Sequence, residues 1–277
     1  MPAPDAISCE KLSKLIGTPK APVLLDVRRD ALRAADPKAI PGAMAVPEQA
    51  LTLPELPVLA ARLVGSSVVV NCAEGHRLGQ GTAAFLRAAG VQAEYLEGGQ
   101  AAWAALGLPL IDSAKIGTRD AQGRSLWVTR SRPKIDRIAC PWLIRRFIDP
   151  DAQVLFVTPA EVAGVADRWG AVPFDVEGVF WSHRDDLCTF DVLLVEFGLK
   201  TPALDRLALI VRGADTARLD LAPEAAGLLA VSLGLSRMYP DDLAQVEAGI
   251  SLYDALYRWA RDATDEQHSW PAGRVAA

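Results

Sequence analysis

The chain has 277 residues, a length that suits two domains, and 51% of them are hydrophobic, so each half can bury a core. A formal net charge of −5 and a sequence pI of about 5.3 exclude broad nucleic-acid binding and leave only local basic patches for anions. Four cysteines (Cys9, Cys72, Cys140 and Cys188) stand far apart with no CxxC pair, which excludes a disulfide framework.

The N-terminal stretch MPAPDAISCEKLSKLIG lacks the apolar core of a secretion signal. No apolar run is long enough to span a bilayer, so a cytoplasmic location without a membrane partner is expected. Val23 to Val27 reads as a buried strand, Ser67 to Asn71 as a second and Ala93 to Leu96 as a third. Leu78 to Ala89 has helical spacing and meets Gly90 as a C-cap, and Gln100 to Leu106 reads as one more short helix. This alternation predicts an α/β fold, a mostly parallel sheet with helices on both faces. Residues 111–124 are polar and turn-rich and read as a linker between a first domain over 1–110 and a second over 125–262. The second holds Trp127, Trp142, Trp169, Trp181, Trp259 and Trp270 and leaves Trp103 to the first. Its later part predicts helices over Pro202–Arg212, Pro223–Leu233 and Asp241–Arg261, within a helix-rich α/β or α+β unit. Residues 263–277 read as a frayed tail.

Cys72 stands where the second strand ends, and ligands of parallel sheets bind beyond the carboxyl ends of strands. Gly75 suits a tight turn, and a tight loop before a helix start turns backbone N–H groups into an anion cradle. Such a field favours a thiolate, and equally an anionic persulfide. Cys72-Ala73-Glu74-Gly75-His76-Arg77 has the form C-x4-R, whereas cysteine phosphatases and arsenate reductases use C-x5-R, a place held here by Leu78. The smaller loop suits sulfur better than a tetrahedral phosphate. A purely structural cysteine is the competing reading.

LLDVR (Leu24 to Arg28), IPGAMAVP (Ile40 to Pro47), the CAEGHR loop and LEGGQAAW (Leu96 to Trp103) together resemble a rhodanese domain over most of residues 1–110. The resemblance implies that Cys72 carries a persulfide. It also implies that Ala73, Glu74, Gly75, His76 and Arg77 form the donor cradle, with Arg77 near the donor's anionic end. Asp26 and Arg28 resemble the family's strand-end pair, read here as bracing the loop more than as taking part in chemistry. Lys38-Ala39 departs from the Gly-His that commonly precedes the Ile-Pro-Gly-Ala turn. His76 is either a proton-transfer aid or an incidental loop residue.

In the second half, Arg130, Lys134 and Arg137 lie at a predicted strand end and helix entry, a placement suited to an oxyanion. Arg145 and Arg146 read as a solvated basic face. Cys140, before Pro141, is either a helix N-cap with a lowered pKa or a packed residue in a helix that starts near Ile135 with Asp136. His183 and Cys188 are a candidate soft metal pair with Asp175, Asp186 and Glu196 near in sequence, but without CxxC or HxxxH spacing they read as a satisfied His and a packed Cys. Asp136, Cys140, His183 and Cys188 stand as candidates for a second-domain site, and no metal or cofactor is assigned.

KIDRIACPWLIRRFID, PFDVEG followed by SHRDDLCTF, and LIVRGADT make residues 124–262 resemble the C-terminal domain of chromate-resistance protein B. That resemblance implies a role in chromate response and chromate as a further ligand. Regulator-like members carry a different N-terminal domain, so DNA binding is not expected. The leading expectation is a sulfurtransferase that moves sulfur from thiosulfate or a related small-molecule donor to a thiol or cyanide through Cys72, coupled to chromate resistance. The alternative is a chromate or oxyanion sensor with a non-catalytic first domain, and phosphatase or arsenate-reductase chemistry ranks third.

Overall fold

The computed structural model describes residues 5–120 and 122–266; Trp270 and residues 267–277 of the expected tail lie outside them. The chain opens with β1 (Ala6–Ile7), α1 (Cys9–Leu15), β2 (Val23–Asp26), α2 (Asp30–Ala35), β3 (Lys38–Ala39) and β4 (Met44–Ala45). It continues through α3 (Leu56–Leu63), β5 (Ser67–Asn71), α4 (Arg77–Ala88), β6 (Gln92–Leu96), α5 (Gly99–Ala105) and β7 (Ile111–Asp112). Strands β1-β6-β5-β2-β4 form a five-stranded sheet in which every pairing is parallel.

The valine run of β5 explains why this sheet is covered on both faces. Val68 and Val70 point to one side, where they pack with Leu25, Ala60, Leu63, Ala83 and Leu86. Val69 points to the other, with Leu24, Leu96, Leu12 and Trp103. Helices α3 and α4 thus cover one face, and α1 and α5 the other.

Lys38 and Ala39 pair antiparallel with Asp112 and Ile111, so the start of segment 111–124 is tied to the first domain. The second domain begins with β8 (Leu126–Arg130), α6 (Asp136–Leu143), a π-helical turn at Ile144–Ile148, β9 (Gln153–Val157), α7 (Val162–Trp169) and β10 (Val172–Pro173). The three strands form a parallel sheet in the order β10-β8-β9. Helices α8 (Thr189–Phe197), α9 (Pro202–Asp215), α10 (Ala225–Met238) and α11 (Asp242–Asp262) complete an α/β unit rich in helix. Residues 223–224 precede α10 instead of opening it, and that helix runs five residues past Leu233.

The two domains share one apolar core. Ile7, Leu12, Ile16, Leu24 and Trp103 belong to the same buried cluster as Trp142, Phe147, Phe190 and Tyr257. Phe147 fills the space over Gly17, where an added Cβ would lie 2.2 Å from its ring, and its carbonyl accepts from the Gly42 amide at 2.8 Å. Among the described residues no helix is long and apolar enough to cross a membrane.

Candidate functional site

Cys72 follows the last residue of β5 and is 5% exposed. The loop after it reaches α4 at Arg77, one residue earlier than the helical spacing predicts, with His76 as N-cap. Its shape is set by a close backbone approach to α5. The Gln100 amide donates to the Cys72 carbonyl and the Ala101 amide to the Ala73 carbonyl, both at 2.9 Å. Gly99 permits this: a Cβ there would stand 2.3 Å from the Cys72 oxygen and 2.5 Å from the Gly75 nitrogen. From the opposite side, Gln80 Nε2 donates to the Gly75 carbonyl at 3.0 Å.

The cysteine opens onto a cavity of about 790 Å³ whose walls include Arg28, Glu48, Glu74, His76 and Arg77. Arg77 is exposed at the first position of α4. His76 Nδ1 lies 3.3 Å from Glu74 Oε2, with both side chains well exposed. Ala73 and Gly75 contribute backbone to the loop.

Asp26 and Arg28 form a buried pair, with Arg28 Nε donating to Asp26 Oδ1 at 3.0 Å and its terminal nitrogen to Oδ2 at 2.7 Å. The same nitrogen donates to the Lys38 carbonyl at 2.9 Å, which also accepts from Gln100 Nε2 at 2.8 Å. The pair therefore links the end of β2 to α5 and, through α5, to the cysteine loop. The contacts at Lys38 are made by its backbone carbonyl, so the side chains of Lys38-Ala39 take no part in them.

In the second domain, Arg130 and Arg137 meet on one carboxylate. Arg137 Nε is 3.1 Å from Asp175 Oδ2, and a terminal nitrogen of Arg130 is 3.3 Å from the same atom. Lys134 is exposed and forms no ion pair among the described residues. Asp136 is 1% exposed at the start of α6 and accepts from the backbone amides of Thr189 (2.6 Å) and Phe190 (3.3 Å), which open α8. Burial and the neighbouring Asp215 and Asp175 push its carboxyl well above the usual range. His183 Nε2 lies 3.2 Å from Asp215, 3.4 Å from Asp175 and 3.6 Å from Asp136. Hydrogen bonds to Asp175 and Asp215 push its pKa up to about 10.

The helix α6 starts at Asp136, so Cys140 is not an N-cap; it is fully buried inside the helix, and burial pushes its thiol pKa up. Cys188 instead caps α8, with its sulfur 3.2 Å from Asp191 Oδ2, and burial raises its thiol too. His183 and Cys188 are not paired directly: the Cys188 sulfur is bonded to Asp191, and Asp136 is a neighbour of both. Asp186 is exposed, and Glu196 binds Lys115 and Arg184. Arg146 is no solvated cation: it holds Asp254 through two bonds of 2.8 Å. Sequence reasoning missed Asp215 and the Gly99–Gln100 clamp. Asp215 lies 79 positions from Asp136, and only a charged residue at the end of an apolar helix marks it.

Residues 8–106 match the model of the rhodanese-like domain, and residues 127–260 that of ChrB, C-terminal domain. Over 137 residues the chain is 39% identical to Protein ChrB of Cupriavidus metallidurans, a match that covers 49% of this chain and 40% of that protein. The chain thus spans less than half the length of the curated relative it matches. A thiosulfate sulfurtransferase from Pseudomonas aeruginosa is 29% identical, covering 40% of this chain and 20% of that one, with a TM-score of 0.32. A rhodanese-like domain protein from Staphylococcus aureus is 25% identical, covering 36% and 90%, with a TM-score of 0.31. The chain carries a rhodanese-like domain joined to a ChrB C-terminal domain.

Proposed function

We propose that this protein is a sulfurtransferase that works in chromate resistance, with Cys72 as the sulfur carrier. The observation that carries the reading is the placement of Cys72: a thiol at the carboxyl end of a parallel strand, in a loop held by α5, opening onto a cavity with Arg77 on its wall. The Cys72 thiolate attacks the outer sulfur of thiosulfate. A sulfur–sulfur bond forms as the donor's sulfur–sulfur bond breaks, and sulfite leaves with the electron pair. An acceptor thiolate or cyanide then takes the outer sulfur and returns Cys72 as thiolate. Arg77 faces the anionic end of the donor, Ala73 to His76 surround the transferred sulfur, and Asp26 and Arg28 hold the loop's base. The ChrB C-terminal match supports the link to chromate. The alternative is an oxyanion sensor: Arg130 and Arg137 both contact Asp175, while Lys134 beside them is exposed without an ion pair among the described residues.

Intact mass measurement after thiosulfate treatment tests the proposal. The wild-type chain is expected to gain one sulfur, located on the peptide that contains Cys72, and Cys72→Ser is expected to gain none. An adduct retained in Cys72→Ser would overturn it.

A further inference from the structure

His183 and the acids around it take no part in the sulfur chemistry. A neutral imidazole nitrogen carries at most one proton and donates one good hydrogen bond. Three carboxylate oxygens nevertheless converge on His183 Nε2 within 3.6 Å. The ligand atoms of Asp136, Asp175 and His183 all lie within 4.8 Å of one another, so a small inward movement brings them to about 2.1 Å from a single ion. We propose that Asp136, Asp175 and His183 form a divalent transition-metal site, with Asp215 as a fourth protein group facing it.

The surroundings fit this assignment. Asp136 is buried, and among the described residues neither an Arg nor a Lys forms an ion pair with it. The backbone amides that open α8 orient its carboxylate; Arg130 and Arg137 occupy Asp175 Oδ2, and Oδ1, on the His183 side, accepts from the Thr189 hydroxyl at 3.0 Å. These are the outer contacts that fix ligand geometry at metal sites. His183 also faces a surface cavity of about 560 Å³ lined by Arg130, Asp175 and Ser182, which gives an ion a route in and an open coordination position.

The donor set identifies the class of ion. One imidazole with carboxylates suits Mn²⁺, Fe²⁺ or Zn²⁺, whereas a soft Cu⁺ ion requires sulfur. Two buried thiols neighbour Asp136, Cys188 with its sulfur 3.2 Å from Asp191 Oδ2 and Cys140 one turn further along α6; neither belongs to the set of converging donors, and a thiolate band would reveal either as a ligand.

The full chain, stripped by chelator and titrated with Co²⁺ as a visible probe, tests the site. The expected result is one Co²⁺ per chain, with ligand-field bands and no strong thiolate-to-metal charge transfer. His183→Gln and Asp215→Asn are expected to weaken binding by at least about tenfold, and Asp186→Asn, an exposed acid of the same loop, to leave it unchanged. Circular dichroism checks the fold of each variant. If Asp215→Asn loses its fold, His183→Gln decides alone, since that side chain is 43% exposed. Absence of saturable binding, a thiolate charge-transfer band, or binding unchanged in folded His183→Gln would overturn the proposal.

Discussion

Gly79 lies in the first turn of α4, and a Cβ on it would stand 3.0 Å from the Cys72 sulfur. Its backbone is ordinary helix, so alanine is tolerated by the fold and felt by the sulfur. Gly79→Ala is expected to keep the fold and slow persulfide formation by about 10- to 100-fold, because displacement of a reacting atom is costly; single-turnover kinetics with thiosulfate read this. Gly99→Ala differs. Its φ is +59° and its Cβ would collide with the Cys72 carbonyl oxygen, so both fold and activity are expected to fall. His183 gives a third expectation at this scale. Its pKa in the folded chain is about 10 against an ordinary 6.5, raised first by Asp175 and then Asp215. In the metal-free chain that stabilisation is complete below pH 6.5 and declines as pH rises towards 10. The thermal stability advantage of wild type over His183→Gln in chelator should therefore shrink across that window; a constant advantage would contradict it. The Cys72 loop was legible in the sequence because its parts are contiguous: strand end, cysteine, glycine, arginine and helix start. The His183 cluster was legible only in part: Asp136 and His183 stand out as candidates and Asp175 is near in sequence, but their grouping with Asp215 depends on four segments that only tertiary packing brings together.

The element with the most unusual geometry is α6 and its continuation. Pro141 lies inside the helix, where its missing N–H removes a ladder bond, and Ile144–Ile148 then widens into a π-turn. The segment is held by α11: Asp254 accepts from Arg146 Nε and its terminal nitrogen, and from Trp142 Nε1, all at 2.8 Å. Asp254→Ala leaves a buried indole N–H and a half-buried guanidinium without partners. The expected cost is about 2–3 kcal/mol, below that of a fully buried pair because Arg146 keeps some solvent; urea unfolding measures it. Hydrophobic periodicity located α4, α9 and α11 to within a few residues, since each shows one apolar face to the core. It misjudged Arg146, because a basic pair on a helix looks solvated until its partner, 108 residues away, is seen. The same limit explains Cys140: Pro141 normally marks a helix start, but here tertiary packing carries the helix through it.

At the scale of the whole molecule, the two domains are joined by more than a linker. The sheet face formed by Leu24, Val69 and Leu96 continues through Ile16 and Trp103 into Phe147, Trp142 and Tyr257 as one apolar cluster. Phe147 stacks edge-on to Tyr257 at 5.5 Å between centroids and presses on Gly17 of the first domain. Polar ties cross the same boundary: Gly42 N–H to the Phe147 carbonyl, and Arg261 to the Lys14 carbonyl at 2.9 Å. Exposing that face by separating the domains uncovers apolar surface on both sides, at roughly 25 cal/mol per Å². Neither domain is therefore expected to persist long after the other unfolds, and calorimetry of the full chain should give one transition. Phe147→Ala removes the side chain that both domains contact. It is expected to lower stability by about 3–5 kcal/mol, or to split the transition in two. Two well-separated transitions in the wild-type chain would show that the shared core does not couple the domains. One transition that Phe147→Ala lowers or divides would mean that the two domains unfold as a single cooperative unit through the core this side chain fills.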